Sequence, residues 1–230
     1  MDYIVHVRMN EHLFLRDPEG SELGRKIVRE GIALFGEIGL EETTFRKLAD
    51  RIGTKEASIY RYFGNKHRLL VYLVAWYWQW IEYQVVFQTN NIQRPHEKLE
   101  RILRLLLLKD VTDSLTGHGA DGIDLKTLHS IVIRESSKAY LTRHVTEDNR
   151  QQLFKPYKDL CTRIANVILE QQPSFPFARS LASTLVETAH YQSFFMQNLP
   201  ALTDFGTTKD ENQLLEFLRH LLFTTIEKSD

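Results

Sequence analysis

Leu69, Leu73, Trp76, Trp80, Tyr83 and Phe87 are spaced alternately four and three residues apart. Side chains with that spacing line one side of an α-helix, whereas on a strand they would scatter over both faces. The same period governs almost all of the 230 residues. Ile27, Gly31, Leu34, Phe35 and Ile38 predict a first helix that Gly39 can end. Thr43 or Thr44 can cap a second, with Phe45, Leu48, Ala49 and Ile52 inside. Gly53 then precedes a short third helix, about Lys55 to Tyr60, that buries Ile59 and Phe63. The long helix starts at Lys66, and Pro95 opens another running to Lys109. The breaker-rich stretch "TDSLTGHGADG" is expected to be a loop, and Leu125–Ser136 is expected to be helical. Leu153, Tyr157, Leu160, Ile164 and Val167 mark a further helix, with Pro156 as a kink or a new start. Two closing helices are expected near Phe177–Asn198 and Asp210–Glu227. Only "YIVHVRM" at the start alternates like a strand, so the expected class is all-α.

With 43% hydrophobic and 26% charged residues, the chain has the make-up of a globular protein with a real core. Its single cysteine, Cys161, excludes an intramolecular disulfide and a cysteine zinc cluster. The most apolar run, "ILRLLLL", is far too short to span a bilayer, and the charged N-terminus does not read as a secretory signal. A soluble, cytoplasmic protein with no membrane partner is expected.

A net charge of -1 argues against nucleic acid, but the charge is unevenly placed. Between Ser21 and Leu70, ten cations face seven anions, which leaves +3 there and -4 in the rest. The segment "GTKEASIYRYFGNKHRLL" sets Lys55, Arg61, Lys66 and Arg68 among Ile59, Tyr60, Tyr62 and Phe63. A core helix needs fewer cations and a solvated one fewer aromatics. Two short helices at a glycine turn suggest a helix-turn-helix, whose second helix enters the DNA major groove. On that reading Ile59 and Phe63 anchor the inner face. Lys55, Glu56, Ser58, Arg61 and Tyr62 lie on or near the outer one, and Lys66 sits within reach of a phosphate.

The stretch "GRKIVREGIALFGEIGLEETTFRKLADRIGTKEASIYRYFGNKHRLL" resembles the TetR family of transcriptional regulators. The resemblance rests on Ala33-Leu34-Phe35, Gly39, Thr43-Thr44, Leu48-Ala49, Gly53, Ile59-Tyr60, Tyr62-Phe63, Lys66 and Leu69 together, about a fifth of the chain. It implies a three-helix DNA-binding domain over residues 21–66, after an arm over 1–20. It also implies a helical domain over 67–230 that binds a small-molecule effector and dimerises through its last two helices. The implied activity is that of a homodimeric repressor, released by its effector from a palindromic double-stranded DNA operator. By position, Arg46, Lys55, Glu56, Ala57, Ser58, Arg61 and Tyr62 fall where the family reads or approaches bases. Thr44, Tyr60 and Lys66 fall where it contacts phosphate. Lys55 stands where a small polar cap is usual, with Thr54 as a substitute. Glu56 stands where a base is common, and could accept from a cytosine amino group. The arm is poor in Arg and Lys, which argues against a minor-groove role.

In the remainder, Trp76, Trp80 and Tyr83 could line an effector cavity or simply pack the core, while Tyr77 and Trp78 point elsewhere. Glu187, His190 and Tyr191 are candidate polar groups of such a cavity. Ala178, Ala182, Leu185, Ala189, Ser193 and Met196 form a small-residue stripe. With the broad apolar arc of Leu214, Phe217, Leu218, Leu221, Leu222 and Phe223, it suggests a four-helix dimer interface rather than an internal core. Glu187 and His190 also form an E-x-x-H pair, the spacing used in metal-binding bundles and the only such pair the sequence offers; Glu216 and His220 are also one turn apart but four residues from each other. A site of that kind needs two such pairs, so no metal, cofactor or catalytic residue is assigned. A helical metalloenzyme and an adaptor that no longer binds DNA remain as alternatives.

Overall fold

The computed structural model describes residues 9–109 and 122–227. Every regular element among them is helical. The loop expected over "TDSLTGHGADG" and most of "YIVHVRM" lie outside the described residues. The helices are α1 (Glu22–Glu42), α2 (Phe45–Ile52), α3 (Glu56–Tyr60), α4 (Lys66–Thr89), α5 (Pro95–Leu106), α6 (Leu125–Tyr140), α7 (Val145–Arg150), α8 (Lys155–Gln171), α9 (Ala178–Asn198) and α10 (Glu211–Glu227). They form two compact units, one within Met1–Gln79 and Thr112–Pro156, the other within Trp80–Val111 and Tyr157–Asp230.

In the first unit, Ser21 caps α1 by accepting from the Gly24 amide, and Ile27, Val28, Gly31, Ile32, Leu34 and Phe35 are buried. The helix breaks at Gly39, whose φ of 74° and ψ of 173° suit a residue without a side chain. Ile38, expected inside, sits exposed at that break. Beyond it the chain is held by polar bonds: the Thr43 hydroxyl donates to Gly39 O, and Leu40 N–H donates to Glu135 Oε1 on α6. Lys138, also on α6, pairs with Glu135 and Glu41. Both contacts favour its charged form, with Glu135 the larger influence, so its pKa is raised. Arg68 pairs with the buried Asp148 of α7 at 3.0 Å. The short helix α7 carries no long apolar period and was not foreseen.

The stripe that opens α4 continues inward as expected through Trp80, but the helix is buried on every side from Leu69 to Trp78. Tyr77 and Trp78 are therefore core residues. The phenol of Tyr77 lies 2.6 Å from His129 Nδ1 on α6. At its far end the stripe surfaces, leaving Tyr83 half-buried against a 64% exposed Phe87.

Pro156, the last residue of the first unit, is the second residue of α8, so it starts that helix rather than kinking one. In the second unit, Leu108 takes a left-handed backbone (φ 51°), and α5 stops at Leu106, short of Lys109. The small-residue stripe of α9 does not face outward. Ala178, Ala182, Leu185, Ala189 and Met196 are buried within the single chain, as are Leu214, Leu218 and Leu222 of α10. That face is an internal core, because small residues on one helix let the larger leucines of a neighbour approach. Phe217, from the expected arc, stays exposed, as does Tyr191.

Candidate nucleic-acid interface

The turn between α2 and α3 follows from two local features. Thr44 caps α2 by accepting from Lys47 N–H at 3.2 Å. At the other end Gly53 adopts the left-handed conformation (φ 76°, ψ 40°), and its amide and that of Thr54 both return to Ala49 O. A Cβ at Gly53 would meet nothing within 4 Å, so the backbone angle alone calls for glycine. Phe45, Leu48, Ala49 and Ile52 form the buried face of α2, and Ile59 and Phe63 are wholly buried beside them. Lys55 is the residue flanking α3, and no side chain caps that helix; Thr54 does not substitute.

This anchoring turns a set of side chains outward. Thr44, Arg46, Lys55, Ala57, Tyr60 and Arg61 are exposed, while Glu56 and Ser58 are half-exposed. Tyr60 is 47% exposed, and its ring stands edge-on to Phe45 at 5.0 Å, which fixes the side chain without hiding it.

Two of the expected residues are placed differently. Tyr62 is only 3% exposed and lies inside rather than on the outer face. Its hydroxyl meets Ser21 Oγ at 2.8 Å, and its carbonyl accepts from Leu15 N–H at 2.8 Å. Lys66 is half-buried, and its ammonium donates to the carbonyls of Leu40 and Glu41 at 2.8 and 2.7 Å. Both residues pin the module together: Lys66 bonds carbonyls at the end of α1, and Tyr62 joins the turn to the Ser21 side chain and to the arm backbone at Leu15.

Internal bonding also sorts the cations. Arg25 donates to Glu19 O, Lys26 to Ile52 O and Lys47 to Glu42 O. Arg51 bridges Glu30 and Glu37 on α1. These bonds, that to Glu37 first, raise the pKa of Arg51, and the Arg51 bond lowers that of Glu37. Among the described residues of this segment, Arg29, Arg46, Lys55 and Arg61 have no carboxylate or carbonyl partner. Three of the four flank or lie on the two helices of the turn. Folding thus leaves uncommitted positive charge on one face, although the chain as a whole is slightly acidic.

The expected effector residues are only partly gathered. Trp76 and Trp80 are buried, Trp76 in the first unit and Trp80 in the second, and His190 is buried on the inner side of α9. Glu187 and Tyr191 share a shallow groove of about 310 Å³ with Ser183, Thr184, Thr188 and Gln192. Glu187 accepts from the Tyr157 phenol at 2.6 Å. Among the described residues, no three His, Cys, Asp or Glu side chains gather as a metal site would require. No described helix is long and apolar enough to cross a membrane.

Sequence reasoning missed the partners of Tyr62. A serine before α1 signals a cap, but nothing local shows that it also meets a phenol 41 residues away. The arm is another case. Leu13 and Pro18 are buried and Asn10 donates to Gln151 O, so the described part of the arm packs on the first unit.

The fold and this exposed turn define a helix-turn-helix protein with an all-helical body. Residues 27–73 match the model of the bacterial regulatory proteins, tetR family. Over 90 residues the chain is 32% identical to the nucleoid occlusion factor SlmA of Mannheimia succiniciproducens, covering 37% of this chain and 42% of that protein. The match thus spans less than half the length of that curated relative. A structure described as a TetR-family transcriptional regulator from Syntrophomonas wolfei superposes with a TM-score of 0.61 at 15% identity, over 88% of this chain and 96% of that one. AibR in complex with isovaleryl coenzyme A and operator DNA gives a TM-score of 0.52 at 18% identity, over 73% and 84%. At these identities the structures speak for the fold alone. Residues 27–73 thus carry a segment of the kind found in the bacterial regulatory proteins of the tetR family.

Proposed function

We propose that this protein regulates transcription as a homodimer that binds a twofold-symmetric operator through α3 and represses until a small molecule releases it. The observation that carries the reading is the face of the turn. Arg46, Lys55 and Arg61 project from it without internal partners, beside the exposed Tyr60 and Thr44. Unpaired cations beside a short exposed helix suit a duplex, where phosphates supply affinity and base edges supply choice. Thr44 and Tyr60 take the phosphate role, and Arg46, Lys55, Glu56, Ala57, Ser58 and Arg61 approach bases. AibR, a neighbour in fold, was captured with both an acyl thioester and DNA. That pairing supports looking for a small organic effector in the helical body here, with Tyr83, Glu187 and Tyr191 as accessible candidates. The buried Trp76, Trp80 and His190 would contribute only if the cavity opens.

Selection of bound sequences from random duplex DNA tests the reading. A winner with twofold symmetry is the expected result, and Arg46→Ala should change which sequences win. Recovery of no duplex above background would remove the proposed function.

A further inference from the structure

The arm before α1 carries an arginine that the helix-turn-helix does not account for. Arg16 is exposed, and its guanidinium carbon lies 5.3 Å from the centroid of the Tyr62 ring. Tyr62 follows Arg61 and Tyr60 directly in the chain, and the arm sets this exposed charge against its ring. The placement is built rather than incidental. Leu15, the residue before Arg16, donates its amide to Tyr62 O at 2.8 Å. Leu13 is buried on one side of it and Pro18 on the other. Pro18 packs so closely on α1 that a Cβ on Gly24 would lie 2.2 Å from its carbonyl oxygen. Glu19 receives the Tyr72 phenol at 3.2 Å and gives its carbonyl to Arg25. The nearby acid, Asp17, accepts from the Glu19 amide, and no carboxylate pairs with Arg16 among the described residues.

We propose that Arg16 is a further contact of the duplex backbone, a phosphate clamp stacked on Tyr62. The proposal rests on the DNA-binding reading above. A guanidinium lying on an aromatic face keeps its N–H edges pointing outward, which suits a phosphate oxygen. It also gives the buried Tyr62 a use: the ring is a platform, held by Ser21, for a cation supplied from the arm. The contact would be independent of sequence, since phosphate carries no base information.

The test is a salt titration of binding to a mixed-sequence duplex of about three helical turns, with the unsubstituted protein, Arg16→Ala and Arg16→Lys. Arg16→Ala should reduce the slope of log affinity against log salt by about one unit, alike on every sequence. Arg16→Lys should keep the slope. The thermal midpoint of Arg16→Ala should match the parent, since the side chain is exposed. An unchanged slope overturns the proposal, even if affinity falls, because that pattern makes Arg16 a support for Tyr62 and not a contact. If the unsubstituted protein binds no duplex at all, the DNA-binding reading fails and this inference with it.

Discussion

The ammonium of Lys66, at the start of α4, lies 2.8 Å from the carbonyl oxygen of Leu40 and 2.7 Å from that of Glu41. One side chain thereby ties the end of the first helix to the beginning of the fourth. The bonds serve carbonyls just beyond the break at Gly39, of which Leu40 O also receives the Thr43 amide at 3.3 Å.

Lys66→Met should therefore lower stability by about 1–2 kcal/mol, at the low end for charged hydrogen bonds because the group is only half-buried. Urea unfolding with a constant m-value would report it. The salt slope of DNA binding should stay close to that of the parent, because the ammonium is already committed. A drop by one full unit would instead assign Lys66 to a phosphate.

Gly53→Ala isolates the cost of the turn. No atom lies within 4 Å of the added methyl, so only the left-handed backbone resists the substitution. The expected loss is about 1 kcal/mol, and Gly53→Asn should lose less because asparagine tolerates that conformation. Equal losses for the two would mean that the turn relaxes away from φ 76°.

How much of this was readable beforehand depends on the range of the interaction. The α2 cap at Thr44, the glycine turn and the inner face of Phe45, Leu48, Ala49 and Ile52 are set by neighbours a few residues apart, and the periodicity shows them. The commitments of Lys66 and Tyr62 are set by Leu40, Glu41, Ser21 and Leu15, tens of residues away, and no local pattern encodes them. The α9 stripe shows a third limit. Its spacing identifies a buried face correctly, yet nothing in it distinguishes an internal partner from a second copy of the chain. Only the packing of Ala182, Leu185 and Ala189 inside one chain does.

The dimer prediction moves accordingly to what remains outside. Phe217 is 39% exposed on α10, with its ring 6.3 Å from that of Phe205. If the closing helices associate, Phe217→Glu should place a charge in an apolar contact and shift the protein toward monomer, as light scattering after gel filtration would show. An unchanged mass for a folded variant would exclude this face.

The pair Tyr77 and His129 makes stability depend on acidity. Burial holds the pKa of His129 at about 4, down from the ordinary 6.5, and pushes the Tyr77 phenol up. The phenol thus keeps its proton and donates it to Nδ1 across 2.6 Å, with the ring neutral. On unfolding the ring regains its ordinary value, so below about pH 6.5 the unfolded chain takes up a proton that the native protein refuses. Stability should hold above that pH, fall as the pH drops from about 6.5 to about 4, and level off once the native ring also protonates. At about pH 5 the loss from this one group should be about 2 kcal/mol. His129→Gln keeps an acceptor for the phenol but cannot titrate. Its stability difference between about pH 7.5 and about pH 5 should be smaller than the parent's by that amount. Equal pH dependence in parent and variant would show that the ring is protonated in the native protein or reached by solvent.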